Sequence, residues 1–204
     1  MNTIILDYGA GNLGSVFKFF KLFDSLDVEI KDNLMDNDKI NLLIIPGVGS
    51  FGYGCKRLKK IESLKYKIEN FVKEGGLLIG ICLGAQLFLE NSEESPGSKG
   101  LALVKGGSYF LGSNEKYVES IPRVGWDEIL WPSSNNEMQK RYCYFVHSYE
   151  MKPLNTQKII YTNDGIVAAY KKNNIWGMQF HPEKSNLCGY NIFKSILSTY
   201  AEEN

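Results

Sequence analysis

One cysteine and one histidine in this chain stand where their side chains could do covalent chemistry. Cys82 lies in Gly80-Ile81-Cys82-Leu83-Gly84, directly after the apolar run Leu77-Leu78-Ile79. That run reads as a buried strand and the apolar stretch after Gly84 as a helix, so the backbone must turn sharply at Cys82. A Gly-x-nucleophile-x-Gly corner between strand and helix is a nucleophile elbow, here with sulfur in place of a serine oxygen. Side chains two residues to either side would strike neighbouring backbone, which is why glycines stand there. The helix points its N-terminus at the sulfur and favours thiolate. His181 lies in Gln179-Phe180-His181-Pro182-Glu183, after a run from Ile175 to Phe180 that reads as another strand. An extended backbone through Pro182 would put residues 181 and 183 on one side, where Glu183 can accept the ring N–H and fix the tautomer. Cys82, His181 and Glu183 then supply a nucleophile, a base and an orienting acid for acyl transfer.

Acyl transfer also needs donors for a developing oxyanion. Pro46-Gly47-Val48-Gly49 closes an apolar run, Leu42 to Ile45, at the carboxyl end of a strand, where ligands bind in parallel sheets. Its glycines allow close backbone approach and a peptide flip, and the N–H of Leu83 adds a second donor. The remaining cysteines, 55, 143 and 188, have no comparable context and read as structural. No C-x-x-C pair is present, which argues against a zinc site or a disulfide framework, and no metal is expected.

The elements that must position these residues alternate. Strands are expected at Thr3–Leu6, Val28–Ile30, Leu42–Ile45 and Leu77–Ile81, with helices over Leu13–Leu26 and Leu58–Lys73. This order gives a mostly parallel sheet with crossover helices. After about residue 100 the runs shorten and alternate, as in Tyr142–Tyr149, Lys158–Thr162 and Ile166–Tyr170, which suits antiparallel or mixed strands. A last helix is expected over Gly189–Tyr200, and Ser92–Lys99 reads as a loop close enough to the elbow to border the site. The fold class is therefore α/β, a three-layer sandwich with a smaller antiparallel or mixed sheet, expected as a single domain over residues 1–204.

The chain has 204 residues, 44% of them apolar, enough for a substantial core. Its 23 basic and 23 acidic residues cancel, which gives no electrostatic reason to expect nucleic acid or an anionic membrane as partner. The start lacks a basic, apolar leader, and no apolar run approaches the roughly 18 residues of a membrane span. A reducing, cytoplasmic setting is expected, which suits a free thiol.

Taken together, Pro46–Gly49, Gly80-Ile81-Cys82-Leu83-Gly84-Ala85-Gln86 and His181-Pro182-Glu183 resemble the class I, triad-type glutamine amidotransferases. More narrowly, Asp7-Tyr8-Gly9-Ala10-Gly11-Asn12-Leu13, Gly49-Ser50-Phe51, Gly125-Trp126, Tyr144-Phe145-Val146-His147-Ser148-Tyr149 and His181–Ser185 are similar to the glutaminase subunits of imidazole glycerol phosphate synthase. The resemblance spans essentially the whole chain. It implies that Cys82 attacks the carboxamide of L-glutamine, with His181 as base and then acid and Glu183 orienting it. It implies an oxyanion strand at Gly47, Val48 and Gly49, and a substrate head group held by Gln86, Glu94 and the backbone of His147, Ser148 and Tyr149. It implies no cofactor. It also implies a (β/α)₈-barrel synthase partner that receives the ammonia for histidine biosynthesis, met around Asn12, Trp126, Tyr144 and Lys184, with weak activity in the partner's absence. The sequence departs from the subfamily pattern at Arg123, where a histidine is common, at Asp127, where an asparagine is common, and at Ala85, where methionine is usual. Arg123 is expected near the partner surface. The departures keep a second pathway open, ammonia supply for amidination of a bacterial surface sugar.

Overall fold

The computed structural model describes residues 1–35, 39–113, 121–132 and 137–203. The first half alternates: β1 (Asn2–Leu6), α1 (Leu13–Phe20), β2 (Asp27–Lys31), β3 (Leu42–Ile45), α2 (Phe51–Leu58), α3 (Leu64–Lys73), β4 (Leu77–Ile81) and α4 (Leu83–Leu87). The second half is strand-rich: β5 (Asn91–Ser92), β6 (Lys105–Phe110), β7 (Arg123–Pro132), β8 (Met138–His147), β9 (Tyr149–Leu154), β10 (Lys158–Tyr161), β11 (Val167–Lys172), β12 (Ile175–Met178) and the terminal helix α5 (Asn186–Glu203). Seven strands form the main sheet in the order β10-β11-β12-β4-β3-β1-β2. The five from β12 to β2 are parallel, and β11 and β10 extend the β12 edge antiparallel. A mixed sheet, β5-β6-β9, and an antiparallel ribbon, β7-β8, stand apart from it. The expected α/β sandwich with a smaller mixed sheet is what the chain forms.

Period-two alternation builds both cores. Ile5, Leu42, Ile44, Leu77, Ile79 and Ile81 face one side, against Phe19, Phe20, Ile192, Phe193 and Ile196 of α1 and α5. Ile4, Leu6, Leu43, Ile45 and Leu78 face the other, against Phe51, Leu58, Leu64, Ile68 and Leu87. The aromatic rings of Phe19, Phe20, Phe23, Tyr190 and Phe193 pack edge-on and stacked between α1 and α5. A sheet covered on both faces reads as the continuous apolar runs seen in β3 and β4.

Three local expectations change. The helix expected over Leu13–Leu26 ends at Phe20, yet Phe23 and Leu26 stay buried on the turns that follow, so the apolar spacing outlasts the helix. The helix expected over Leu58–Lys73 is two helices, α2 and α3, broken where Ser63 takes φ +54°. Leu58, Ile61, Leu64, Ile68, Phe71 and Val72 still meet one core, so periodicity alone could not reveal the break. The strand expected over Tyr142–Tyr149 is divided at Ser148, whose carbonyl accepts from the Leu111 N–H, and β8 and β9 join different sheets. The helix after the elbow is five residues long, a turn and a half.

The elbow itself has the expected geometry and an added reason for its glycines. Cys82 takes φ +52°, ψ −111°, a conformation a side-chain-bearing residue adopts only when its surroundings impose it. A Cβ at Gly80 would lie 2.7 Å from the Ala85 nitrogen, and one at Gly84 would overlap the Ile45 carbonyl oxygen. Gly84 therefore lets α4 seat directly on the end of β3. Gly84→Ala is expected to lower stability by about 2–3 kcal/mol through overpacking, read as a fall in the urea midpoint. Gly14→Ala, in α1 with open space around its Cβ, is expected to be neutral or stabilising. Equal losses at both positions would contradict the steric account.

Candidate active site

The carboxyl ends of β3, β4 and β12 converge, and β8, β9 and the 3₁₀ turn Pro182–Lys184 close over them. Between them lies a cavity of about 390 Å³ lined by Val48, Gly49, Cys82, Leu83, Gln86, Glu94, Pro122, Val146, His147, Ser148, Tyr149 and His181. That volume suits a small metabolite. Larger cavities among the described residues, of about 440, 530 and 790 Å³, bring no histidine to their walls.

Cys82 enters the cavity at the tip of β4, held by its N–H to the Met178 carbonyl at 2.7 Å. Its Sγ lies 3.8 Å from the Val146 carbonyl oxygen and 3.7 Å from Nε2 of Gln179. His181 Nδ1 is 2.7 Å from Glu183 Oε1, and both side chains are almost wholly buried. The contact forms by a different route from the extended one expected. His181 is extended, but Pro182 begins a 3₁₀ turn that folds Glu183 back onto the ring. Proline's fixed φ suits the first position of such a turn. Burial would push the His181 pKa down. The neighbouring Cys82 sulfur and the Glu183 carboxylate outweigh it and raise the pKa to about 10. Ser185 completes the platform: its Oγ donates to the His181 carbonyl at 2.6 Å and accepts from the Tyr144 N–H at 3.0 Å, while His181 N–H donates to the Tyr144 carbonyl at 2.9 Å.

The Pro46–Gly49 segment, expected to supply an oxyanion donor, turns its Val48 N–H inward. The Val48 N–H is donated to the Ala10 carbonyl at 2.8 Å and not to the cavity. Gly49 has φ +98° with open space around its Cβ, and the peptide that carries the Val48 N–H joins Val48 to Gly47. Gly47 does not line the cavity. A Cβ there would lie 2.6 Å from the Gly84 nitrogen and from the Tyr8 hydroxyl, so Gly47 lets the strand rest on the elbow. Gln86 uses its amide protons internally, on the Tyr149 carbonyl at 3.1 Å and Gln179 Oε1 at 3.0 Å, and so ties the elbow helix to β9. Glu94 accepts the Phe51 N–H at 2.6 Å through one carboxylate oxygen, at the start of α2, and faces the cavity beside Tyr149.

The residues expected at a partner surface divide. Trp126 is half exposed and meets Tyr144 edge-on at 6.0 Å, Lys184 lies over the Tyr144 ring at 5.5 Å, and Asn12 is exposed. Arg123 is the exception. Its side chain is only 13% exposed, pairs with Asp164 at 2.6 and 3.1 Å, contacts Asp127, and lies over the Phe145 ring. Its charge is spent on holding the ribbon to the 162–164 turn, so it offers no free cation to a partner.

The sequence reading missed Tyr8, Gln179 and Ser185. Gln179 shares the strand face of His181 by period two, which is the signal that could have found it. Tyr8 stood in a quoted motif, but only the fold sets its buried hydroxyl against Gly47, with its pKa raised by burial first and then by Cys82. Among the described residues, five buried side-chain polar atoms lack a hydrogen-bond partner, and four of them are Tyr8 Oη, His147 Nε2, His181 Nε2 and Glu183 Oε2. Such clustering marks a place where another molecule completes the bonding.

The two histidines should titrate with opposite sign. Burial first holds His147 down to about 4, although its Nδ1 donates to the Tyr149 carbonyl at 2.9 Å. Between pH 4 and the ordinary histidine value of about 6.5 the unfolded chain binds a proton that the folded chain does not. Stability is expected to rise across that window and to be lost as pH falls, on the order of 3 kcal/mol in urea titrations. His147→Asn should flatten it. The His181 contribution runs the other way, complete below about pH 6.5 and lost as pH rises through about 10. Imidazole resonances should show a protonated ring for His181 at pH 8 and a neutral one for His147. A neutral His181 at that pH would overturn the assignment.

Comparison with known proteins follows the same lines. The family model for class-I glutamine amidotransferases matches residues 5–191. The imidazole glycerol phosphate synthase subunit HisH of Prochlorococcus marinus is 39% identical, over 100% of this chain and 97% of its own length. The subunit of the same name from Thermotoga maritima is 33% identical, over 97% and 96% respectively. Among solved structures, a glutamine amidotransferase superposes with a TM-score of 0.76 at 14% identity over 98% of both chains. A chain from PurLQS of Thermotoga maritima superposes with a TM-score of 0.69 at 16% identity over 97% of this chain and 98% of that one. At such identities the superpositions speak for the fold alone. The full-length relatives and the family model together place the chain in the class-I glutamine amidotransferase family.

Proposed function

We propose that this chain, acting as one glutamine amidotransferase domain, is the glutaminase subunit of an imidazole glycerol phosphate synthase. The observation that carries the reading is the shared cavity in which Cys82 faces His181, with Nδ1 of His181 held by Glu183 and Nε2 left without a partner. Cys82 Sγ attacks the side-chain carbonyl carbon of L-glutamine. Leu83 N–H receives the developing oxyanion. His181 Nε2 carries the thiol proton to the departing nitrogen, ammonia leaves, and a glutamyl thioester remains. The same nitrogen then takes a proton from water, which attacks the thioester and releases L-glutamate. Glu183 keeps the proton on Nδ1 throughout and supports the imidazolium. The free Glu94 oxygen suits the α-ammonium of the substrate, and the backbone of His147, Ser148 and Tyr149 borders the same end.

The second oxyanion donor is absent from the cavity while Val48 N–H is bonded to Ala10. Rotation of the Gly47–Val48 peptide, for which glycine at 47 leaves the backbone torsion free, would break one hydrogen bond, about 1 kcal/mol net, and aim the Val48 N–H at the oxyanion. Low activity of the isolated chain follows, with a partner supplying the contacts that favour the rotated form. The exposed Trp126, Lys184 and Asn12, with the half-buried Tyr144 against the first two, suit docking of a (β/α)₈-barrel synthase to which ammonia passes. The name shared by the end-to-end relatives favours histidine biosynthesis over sugar amidination as the pathway.

Cys82→Ala is expected to abolish glutamate release while leaving unfolding and partner binding unchanged; substantial hydrolysis by that variant would sink the mechanism. Glu183→Gln is expected to lower kcat by about 10²-fold or more with a small change in KM, because it misorients the base without touching substrate. Addition of a barrel synthase loaded with its own substrate should raise the glutaminase rate of the wild-type chain, and no response would contradict the partner role.

A further inference from the structure

Two thiols outside the candidate active site touch each other. Cys143 on β8 and Cys188 on α5 lie 45 positions apart in sequence, with their Sγ atoms 3.5 Å apart. That is van der Waals contact for sulfur, about 1.5 Å longer than a disulfide bond. Cys143 is buried and Cys188 is partly exposed, so one thiol is reachable and the other stands behind it. Their chemistry is asymmetric. The hydrogen bond from Cys143 and the nearby Arg141 guanidinium hold Cys188 below its ordinary pKa against the effect of burial. Its hydrogen bond to Cys188, and then burial, push Cys143 well up. A partly exposed sulfur of lowered pKa in contact with a buried second thiol is the arrangement of peroxide-sensitive cysteines.

The position matters as much as the contact. Cys143 immediately precedes Tyr144, whose N–H and carbonyl hold Ser185 Oγ and the His181 N–H. Cys188 follows Ser185 by three residues, in the first turn of α5. The thiols therefore flank the hydrogen-bonded platform that carries His181.

We propose that Cys143 and Cys188 are a reversible dithiol site, oxidised to a disulfide by hydrogen peroxide or an organic hydroperoxide, which clamps β8 to α5 beneath His181. The Cys188 sulfur attacks the peroxide, the O–O bond breaks, and Cys188 becomes a sulfenic acid while the other oxygen leaves as water or alcohol. The Cys143 sulfur then attacks Cys188 Sγ. The S–S bond forms, the S–O bond breaks, and the leaving hydroxide takes the Cys143 proton as water. Two thiols are oxidised by two electrons and one peroxide is reduced. A dithiol reductant reverses the step. The clamp fixes the spacing of Tyr144 and Ser185 and so slows opening of the His181 segment.

The test uses the full chain carrying Cys82→Ser, so that oxidation of that thiol does not interfere. After mild hydrogen peroxide treatment the intact mass should fall by about 2 Da, and after alkylation and digestion one linked peptide should contain Cys143 and Cys188, both changes reversed by dithiothreitol. Adding Cys188→Ser or Cys143→Ser should remove the link. Hydrogen exchange at the amides of Tyr144 and His181 should slow several-fold in the oxidised chain. Alkylation of both thiols after peroxide, pairing with Cys55 or another molecule, or a link that leaves those amides unchanged would each overturn the proposal. These readouts are independent of glutamine turnover.

Discussion

The close seating of Gly84 on the Ile45 carbonyl governs the geometry of the whole site. It brings the elbow helix down onto the end of β3, and the backbone has no relaxed path from β4 into α4 at that distance. Cys82 takes up the difference as a positive φ. The strain is held by bonds on both sides: Cys82 N–H to Met178 on β12, and the Ala85 carbonyl accepting from the buried Tyr170 hydroxyl at 2.9 Å. The sulfur is thus pointed into the cavity by packing below it and needs no side-chain contact of its own to be placed. Burial of a non-glycine residue in this conformation costs about 1–3 kcal/mol, which the two apolar cores on either face of the sheet must offset.

Around that fixed sulfur, two imidazoles are given opposite characters by their partners. His181 meets a carboxylate and a thiol, and so keeps its proton. His147 is buried and lies beside Arg123, and so loses it although the Tyr149 carbonyl accepts from its ring. Both present an unbonded Nε2. One cavity therefore holds a ring that keeps its proton and a ring that loses it, a difference that arises from surroundings and not from residue type.

The wall opposite the elbow is built from long-range polar ties. Gln86 and Gln179 link the elbow helix to β9 and β12, and Arg123 anchors the β7-β8 ribbon through Asp164. Ser185 stitches β8 to the turn carrying the base. Each tie replaces water around a buried polar group with a protein partner, so the wall is rigid where the chemistry needs it. The Pro46–Gly49 segment is different: a backbone hydrogen bond from Val48 to Ala10 holds it in its present form, next to a glycine with open space.

Local rules were enough for much of this. The strand-elbow-helix at Cys82, the apolar alternation that gives a two-sided parallel sheet, the pairing of His181 with Glu183 and the bordering loop with Glu94 all follow from residues within a few positions of one another, where sterics and periodicity act directly. Helix ends were less legible, because Ser63 and the turns after Phe20 change the backbone without changing which residues are buried. Only the tertiary structure decided that Arg123 is spent on Asp164, that Val48 N–H turns away from the thiol, that Gln179 and Tyr8 attend Cys82, and that Cys143 meets Cys188. Those contacts join residues tens of positions apart, and strand order brings them together. A one-dimensional pattern carries the spacing along the chain but not the neighbour across the sheet.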